Sequence, residues 1–167
     1  MFTIYRDNAG LQVIGEDGSR QLGADFSFNA LFRSDDPESW LADKLANAAK
    51  GEVLQNAATQ SWLPPLESQE IWAAGVTYFR SRTARMEEAE DAGGDVFYDK
   101  VYEADRPELF FKATPSRARG HLAKIRVRAD SSWDVPDPEM KNAVNSTGKY
   151  ISFTIRKDVR SRSVESE

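Results

Sequence analysis

Apolar and polar residues alternate at the start of the chain. Phe2 and Ile4 stand against Thr3 and Tyr5, and Leu11 to Ile14 repeats the extended pattern. Asp7-Asn8-Ala9-Gly10 and Gly15 to Gly18 supply the turns between. Met1 to Leu22 therefore reads as a small antiparallel module. The period then changes. Trp40, Leu41, Leu45 and Ala48 recur at helical spacing, with Asp36 as N-cap, Pro37 at the first helical position and Gly51 at the end. Leu63-Pro64-Pro65 reads as a linker, which places a domain boundary near Leu66. The expected organisation is a small α+β domain over residues 1–66 and a second domain over 67–167.

The second part opens on Ile71 to Phe79, whose apolar density predicts a buried strand. Gly75 within it would let another backbone or a ligand approach closely. Arg80 to Ala92 predicts a charged helix, most simply a solvated face, closed by Gly93-Gly94. Asp105-Arg106-Pro107 is a turn, and Glu108 to Lys112 a short strand. Leu122 to Arg128 alternates Ile125 and Val127 with Lys124, Arg126 and Arg128, a strand with one wet face.

Composition narrows the class. The 167 residues suffice for one core with a small appended domain. A net charge of −5 argues against a nucleic-acid partner, because phosphate binding needs a basic face. The chain has no cysteine, hence no disulfide, thiolate metal site or thiol nucleophile. Its one histidine, His121, excludes a polyhistidine zinc site and reads as a loop residue. No apolar run is long enough to span a membrane and the start lacks a signal-peptide pattern, so the expected location is cytoplasmic.

Candidate chemistry lies in Ser132-Trp133-Asp134-Val135-Pro136-Asp137-Pro138-Glu139. Trp133 reads as a packing residue. Asp137 and Glu139 are two apart, so in a strand they share a face. Asn145-Ser146-Thr147-Gly148 is a turn, and Tyr150 to Ile155 the return strand. With the turn centred on Ser146 and Thr147, Glu139 pairs with Thr154, Asp137 with Arg156 and Val135 with Asp158. Asp158 then lies diagonal to Asp137 on the same face, roughly 7–8 Å away. Three converging carboxylates repel one another unless a cation sits between them. A hard, oxygen-preferring dication such as Mg²⁺ would answer that need, and a solvent-exposed acidic hairpin is the plainer alternative.

Four stretches in order resemble one family. Ser68 to Tyr78 (SQEIWAAGVTY) is similar to the opening of the catalytic domain of the fumarylacetoacetate hydrolase family, and Arg106 to Lys112 (RPELFFK) to its next strand. Trp133 to Glu139 (WDVPDPE) resembles its acidic metal motif, and Asp158 to Glu165 the strand end that supplies the last carboxylate. Tyr78 to Arg82 and Phe97-Tyr98-Asp99 lean towards the 2-keto-3-deoxy-sugar-acid dehydratases of the D-arabinonate type. The resemblance implies an α+β fold with a mixed β-roll and Mg²⁺ (or Mn²⁺ or Ca²⁺) on Asp137, Glu139 and Asp158. It also implies a small-molecule 2-keto acid substrate and a homo-oligomer. Tyr78, Arg80, Ser81 and Lys112 match positions near the family's substrate pocket.

The chain also departs from that pattern. Asp137 stands where the family usually has Glu, and Lys141 and Asn142 replace apolar residues. Arg156 and Lys157 stand where small or amide residues are usual. Cations beside a metal site compete with the ion, less so when exposed and screened. Family members continue beyond the point matching Glu167, and the resemblance places the catalytic lysine there. The expectation is a roll incomplete at its C-terminus, with sheet edges to be covered. Two further readings follow. One is a truncated, non-catalytic relative that binds metal or pairs subunits. The other is an acylpyruvate C–C hydrolase, disfavoured because no histidine lies near Tyr78.

Overall fold

A computed structural model describes residues 2–16, 18–23, 26–51, 56–75 and 102–164. The expected strand end beyond Gly75 and the charged helix over 80–92 lie outside the described residues, as do Tyr78, Arg80 and Ser81.

The N-terminal pattern folds as its periods predict. Strands β1 (Thr3–Asp7), β2 (Gly10–Gly15), β3 (Gly18–Leu22) and β4 (Lys50–Gly51) form an antiparallel sheet in that order. The first turn is closed by Asp7, whose Oδ1 accepts from the Ala9 and Gly10 N–H groups at 2.8 and 3.0 Å. Gly10 has φ +135°, and a Cβ there would stand 2.7 Å from the Leu22 carbonyl oxygen, so only glycine fits. Helix α1 (Phe28–Arg33) begins at Ser27, whose Oγ accepts from the Ala30 N–H at 3.1 Å. The sequence reading missed it, because six residues are too few to display a helical period. Helix α2 (Pro37–Asn47) starts at the expected Asp36 cap.

Leu11, Val13 and Leu22 from the sheet pack on Phe28, Leu31, Leu41 and Leu45 from the helices. Each such side chain gains about 1.5–3 kcal/mol by leaving water, which is what holds two short helices on a small sheet. Residues 56–69 also lie against this module. The Leu63 N–H donates to the Arg6 carbonyl at 2.8 Å, and the Arg6 guanidinium donates to the Leu66 carbonyl at 2.8 Å.

Among the described residues, the second part holds two antiparallel pairs. Strand β5 (Ile71–Ala74) pairs with β6 (Leu109–Ala113), and β7 (Asp134–Val144) with β8 (Tyr150–Ser161). Of the expected buried strand, Ala73 is buried but Trp72 is 55% exposed. Leu122 to Arg128 forms no strand, and Leu122, Ile125 and Val127 are exposed. Alternation makes a strand only where a neighbour supplies the hydrogen-bonding edge. Trp133 is also exposed rather than packed. Among the described residues, no helix is long and apolar enough to cross a membrane.

The long hairpin is anchored at its tip. Asn145 is buried, and its Nδ2 donates to the Ser34 carbonyl at 3.0 Å. The Lys149 ammonium donates to the Asp35 carbonyl at 2.7 Å. The α1–α2 connection thereby fixes the direction in which β7 and β8 run.

Candidate metal centre on the long hairpin

The register of β7 and β8 differs from the expected one by two residues. Asp137 lies directly opposite Asp158, Glu139 opposite Arg156 and Val135 opposite Arg160. The turn is larger than a Ser146-Thr147 centre provides. It is built by Asn145, whose Oδ1 accepts from the Thr147 N–H, the Lys149 N–H and the Thr147 hydroxyl at 3.1, 2.7 and 2.9 Å. Gly148 takes φ +80°, and an irregularity between Ala143 and Val144 absorbs the remaining residue. A slip of two preserves the faces, because side chains alternate with period two. Asp137, Glu139 and Asp158 therefore do share one face, and the first and last face each other directly.

Carboxylates opposed across a strand pair destabilise it unless cations intervene. Here the cations are side chains. The Lys112 ammonium, from β6, lies 2.7 Å from Asp158 Oδ2 and ties the two strand pairs together. Arg156 donates through Nε and a terminal nitrogen to Glu139 Oε2 at 3.1 and 3.0 Å, and that terminal nitrogen lies 3.3 Å from Asp158 Oδ1. Lys141 approaches the same Glu139 oxygen at 3.1 Å. Arg160 donates to Asp137 Oδ2. Four cations thus face three carboxylates. Each carboxylate meets at least one of these cations, and among the described residues no three acidic, histidine or cysteine side chains form a group that holds a metal ion.

The face is partly shielded from water. Side-chain exposure is 16% at Asp158, 19% at Arg156 and 34% at Asp137. Burial alone would push the Asp158 carboxyl up, and it is the largest single influence. The Lys112 hydrogen bond and the charges of Arg156, Lys112 and Arg160 together outweigh it and hold the group below its ordinary value of 3.8. Asp158 Oδ2 is buried, and the Lys112 ammonium at 2.7 Å is its partner.

Sequence reasoning finds the three carboxylates and Lys112 but not Arg160. The available signal was spacing, since Arg160 follows Asp158 by two and must share its face. His121 lies in a turn, with Nε2 2.7 Å from the Ala58 carbonyl oxygen.

In chemistry the donor set suits a hard dication. It offers three carboxylates on one face, one of them with a buried oxygen. Side-chain cations now meet the charge requirement that such an ion would meet.

No family model matches this chain. Two curated proteins do. A probable 2-keto-3-deoxyxylonate dehydratase of Haloferax volcanii is 52% identical over 103 residues, covering 62% of this chain and 34% of that protein. The 2-dehydro-3-deoxy-D-arabinonate dehydratase of Saccharolobus solfataricus is 43% identical over 104 residues, covering 62% and 35%. The matched region thus spans about a third of the length of these relatives. Among solved structures, 2-keto-3-deoxy-D-arabinonate dehydratase complexed with magnesium and 2,5-dioxopentanoate aligns with a TM-score of 0.68 and 27% identity, over 99% of this chain and 57% of that one. Its apo form aligns with a TM-score of 0.65. The dehydratase resemblance read from four motifs is matched by both sequence and structure, and the fold is that of these dehydratases, with several sheets and few helices.

Proposed function

We propose that this chain carries part of the active site of a Mg²⁺-dependent dehydratase acting on a 2-keto-3-deoxy sugar acid. The observation that carries this reading is the shared face of Asp137, Glu139 and Asp158, in a chain similar to dehydratases of that substrate class. Asp137, Glu139 and Asp158 would hold the ion. Bound there, a dication supplies Lewis-acid polarisation of the substrate's 2-keto acid end, which makes the C3 proton more acidic.

The chain's own residues have separate tasks. The carboxylates must be ionised to act as ligands, and Lys112 and Arg156 keep Asp158 so. Tyr78, Arg80 and Ser81 are proposed to bind the substrate's carboxylate and hydroxyl oxygens, with Lys112 at the edge of the same pocket. Dehydration then removes a proton from C3 and the hydroxyl from the adjoining carbon as water. The wider architecture proposed is a small N-terminal α+β domain over 1–66, and a mixed β-roll from residue 67 onward in a homo-oligomer.

One observation favours a second reading, a metal-binding or subunit-pairing module without turnover. Met140, Phe153 and Ile155, on the opposite face of the hairpin, are 64, 62 and 77% exposed, an apolar surface suited to another subunit. A C–C hydrolase gains nothing from the structure, because His121 is engaged with Ala58.

The test combines turnover with binding. Purified protein is incubated with Mg²⁺ and 2-keto-3-deoxy-arabinonate, and 2,5-dioxopentanoate is followed by mass spectrometry. Melting is measured with and without Mg²⁺. Product formation with a Mg²⁺-dependent rise in melting temperature is the expected result. Metal stabilisation without product selects the second reading, and neither effect overturns both.

A further inference from the structure

Arg156 occupies an unusual place for a surface-strand arginine. It stands directly opposite Glu139 and two residues before Asp158, so its guanidinium reaches ligands on both strands. One terminal nitrogen lies 3.0 Å from Glu139 Oε2 and 3.3 Å from Asp158 Oδ1. A dication held by those carboxylates would have to compete for the same two oxygens. Arg156 donates a second hydrogen bond to Glu139 through Nε at 3.1 Å, which holds it in place. Its side chain is only 19% exposed, so solvent screens these contacts less than on an open surface.

We propose that the Arg156 guanidinium is a built-in competitor for the metal, filling the position between Glu139 and Asp158 that the dication must take. The proposal rests on the metal reading given above and concerns what sets the affinity. Arginine does not lose its proton at any ordinary pH, so the position is never cleared by deprotonation. The ion enters only by displacing the guanidinium. Lys141 is a weaker competitor, because it meets Glu139 alone, at 3.1 Å. Lys112 meets Asp158 Oδ2 at 2.7 Å, and Arg160 meets Asp137 Oδ2. The consequence is low affinity and a site that loads only at high free metal concentration.

The test is direct titration with Mn²⁺, followed by loss of the free-ion signal in electron paramagnetic resonance, which needs no turnover. Wild type, R156Q and K141M are compared, with circular dichroism and urea melts establishing that each is folded. The expected result is affinity at least tenfold higher in R156Q and a smaller gain in K141M. R156K, which keeps the charge but loses the fork, should lie between wild type and R156Q and serves as the readout if R156Q does not fold. Equal affinity in wild type, R156Q and R156K overturns the competition and leaves the metal reading standing. Weaker binding in R156Q also overturns it, because Arg156 would then be positioning the ligands. Absence of binding in every variant removes the metal reading, and the competition with it.

Discussion

Replacing Lys112 with methionine tests whether the carboxylate face is held by charge. The change keeps the length of the side chain and removes the ammonium that lies 2.7 Å from Asp158 Oδ2. Two unit charges at that separation attract by about 6 kcal/mol at an effective dielectric constant of 20, but most of this is returned as lost hydration. Removing one partner of a fully buried pair costs about 3–5 kcal/mol, and an exposed pair is worth under about 1. Side-chain exposures of 21 and 16% place this pair between those limits, and Arg156 stays beside the other oxygen. The expected loss is about 2 kcal/mol at neutral pH, between those two cases.

The pH dependence gives the sharper test. In the native protein Asp158 titrates below 3.8, so its contribution to stability is present above that value. It is lost as pH falls through the folded value. In K112M the hydrogen bond and charge that lower the group are gone while burial, which raises it, persists. The acid limb of stability should therefore move to higher pH. Urea unfolding at pH 2.5 to 7, with a carbon-13 titration of the Asp158 carboxyl, measures both quantities. An unshifted Asp158 titration with unchanged stability in K112M would refute the charge argument.

Three other substitutions probe the frame around the face. N145A removes the oxygen that accepts from Thr147 and Lys149 and the amide that ties the turn to the Ser34 carbonyl, and should cost about 1–2 kcal/mol; a cross-strand β7–β8 contact pattern unchanged by NMR, with unchanged stability, would contradict this. G120A places a methyl against the Trp62 carbonyl, so the melt should show an overpacking loss of about 1–3 kcal/mol, and wild-type stability would show that this approach is not required. S27A removes the cap of α1 and should cost about 1 kcal/mol by urea unfolding, with no change in Mn²⁺ affinity.

How much of this was legible in the sequence depended on range. The N-terminal strands, the Asp36 cap and the shared face of the three carboxylates follow from local period and local hydrogen bonding. The pairing of Asp137 with Asp158 did not follow. It depends on a turn built by Asn145, whose side chain is in turn held by Ser34, over a hundred residues away. The Leu122 to Arg128 alternation misled because nothing in a segment records whether a pairing edge lies beside it. Arg156 and Lys141 were visible as charges near the motif. Only the geometry shows that both reach Glu139 Oε2 and that Arg156 also reaches Asp158.

Calorimetric titration of Mg²⁺ into wild type and into D158A decides whether the carboxylate face holds an ion. One ion should bind to wild type, with an affinity at least tenfold lower in D158A, whose fold is retained. Indistinguishable titrations, or no heat of binding in wild type even at high Mg²⁺ concentration, would contradict this.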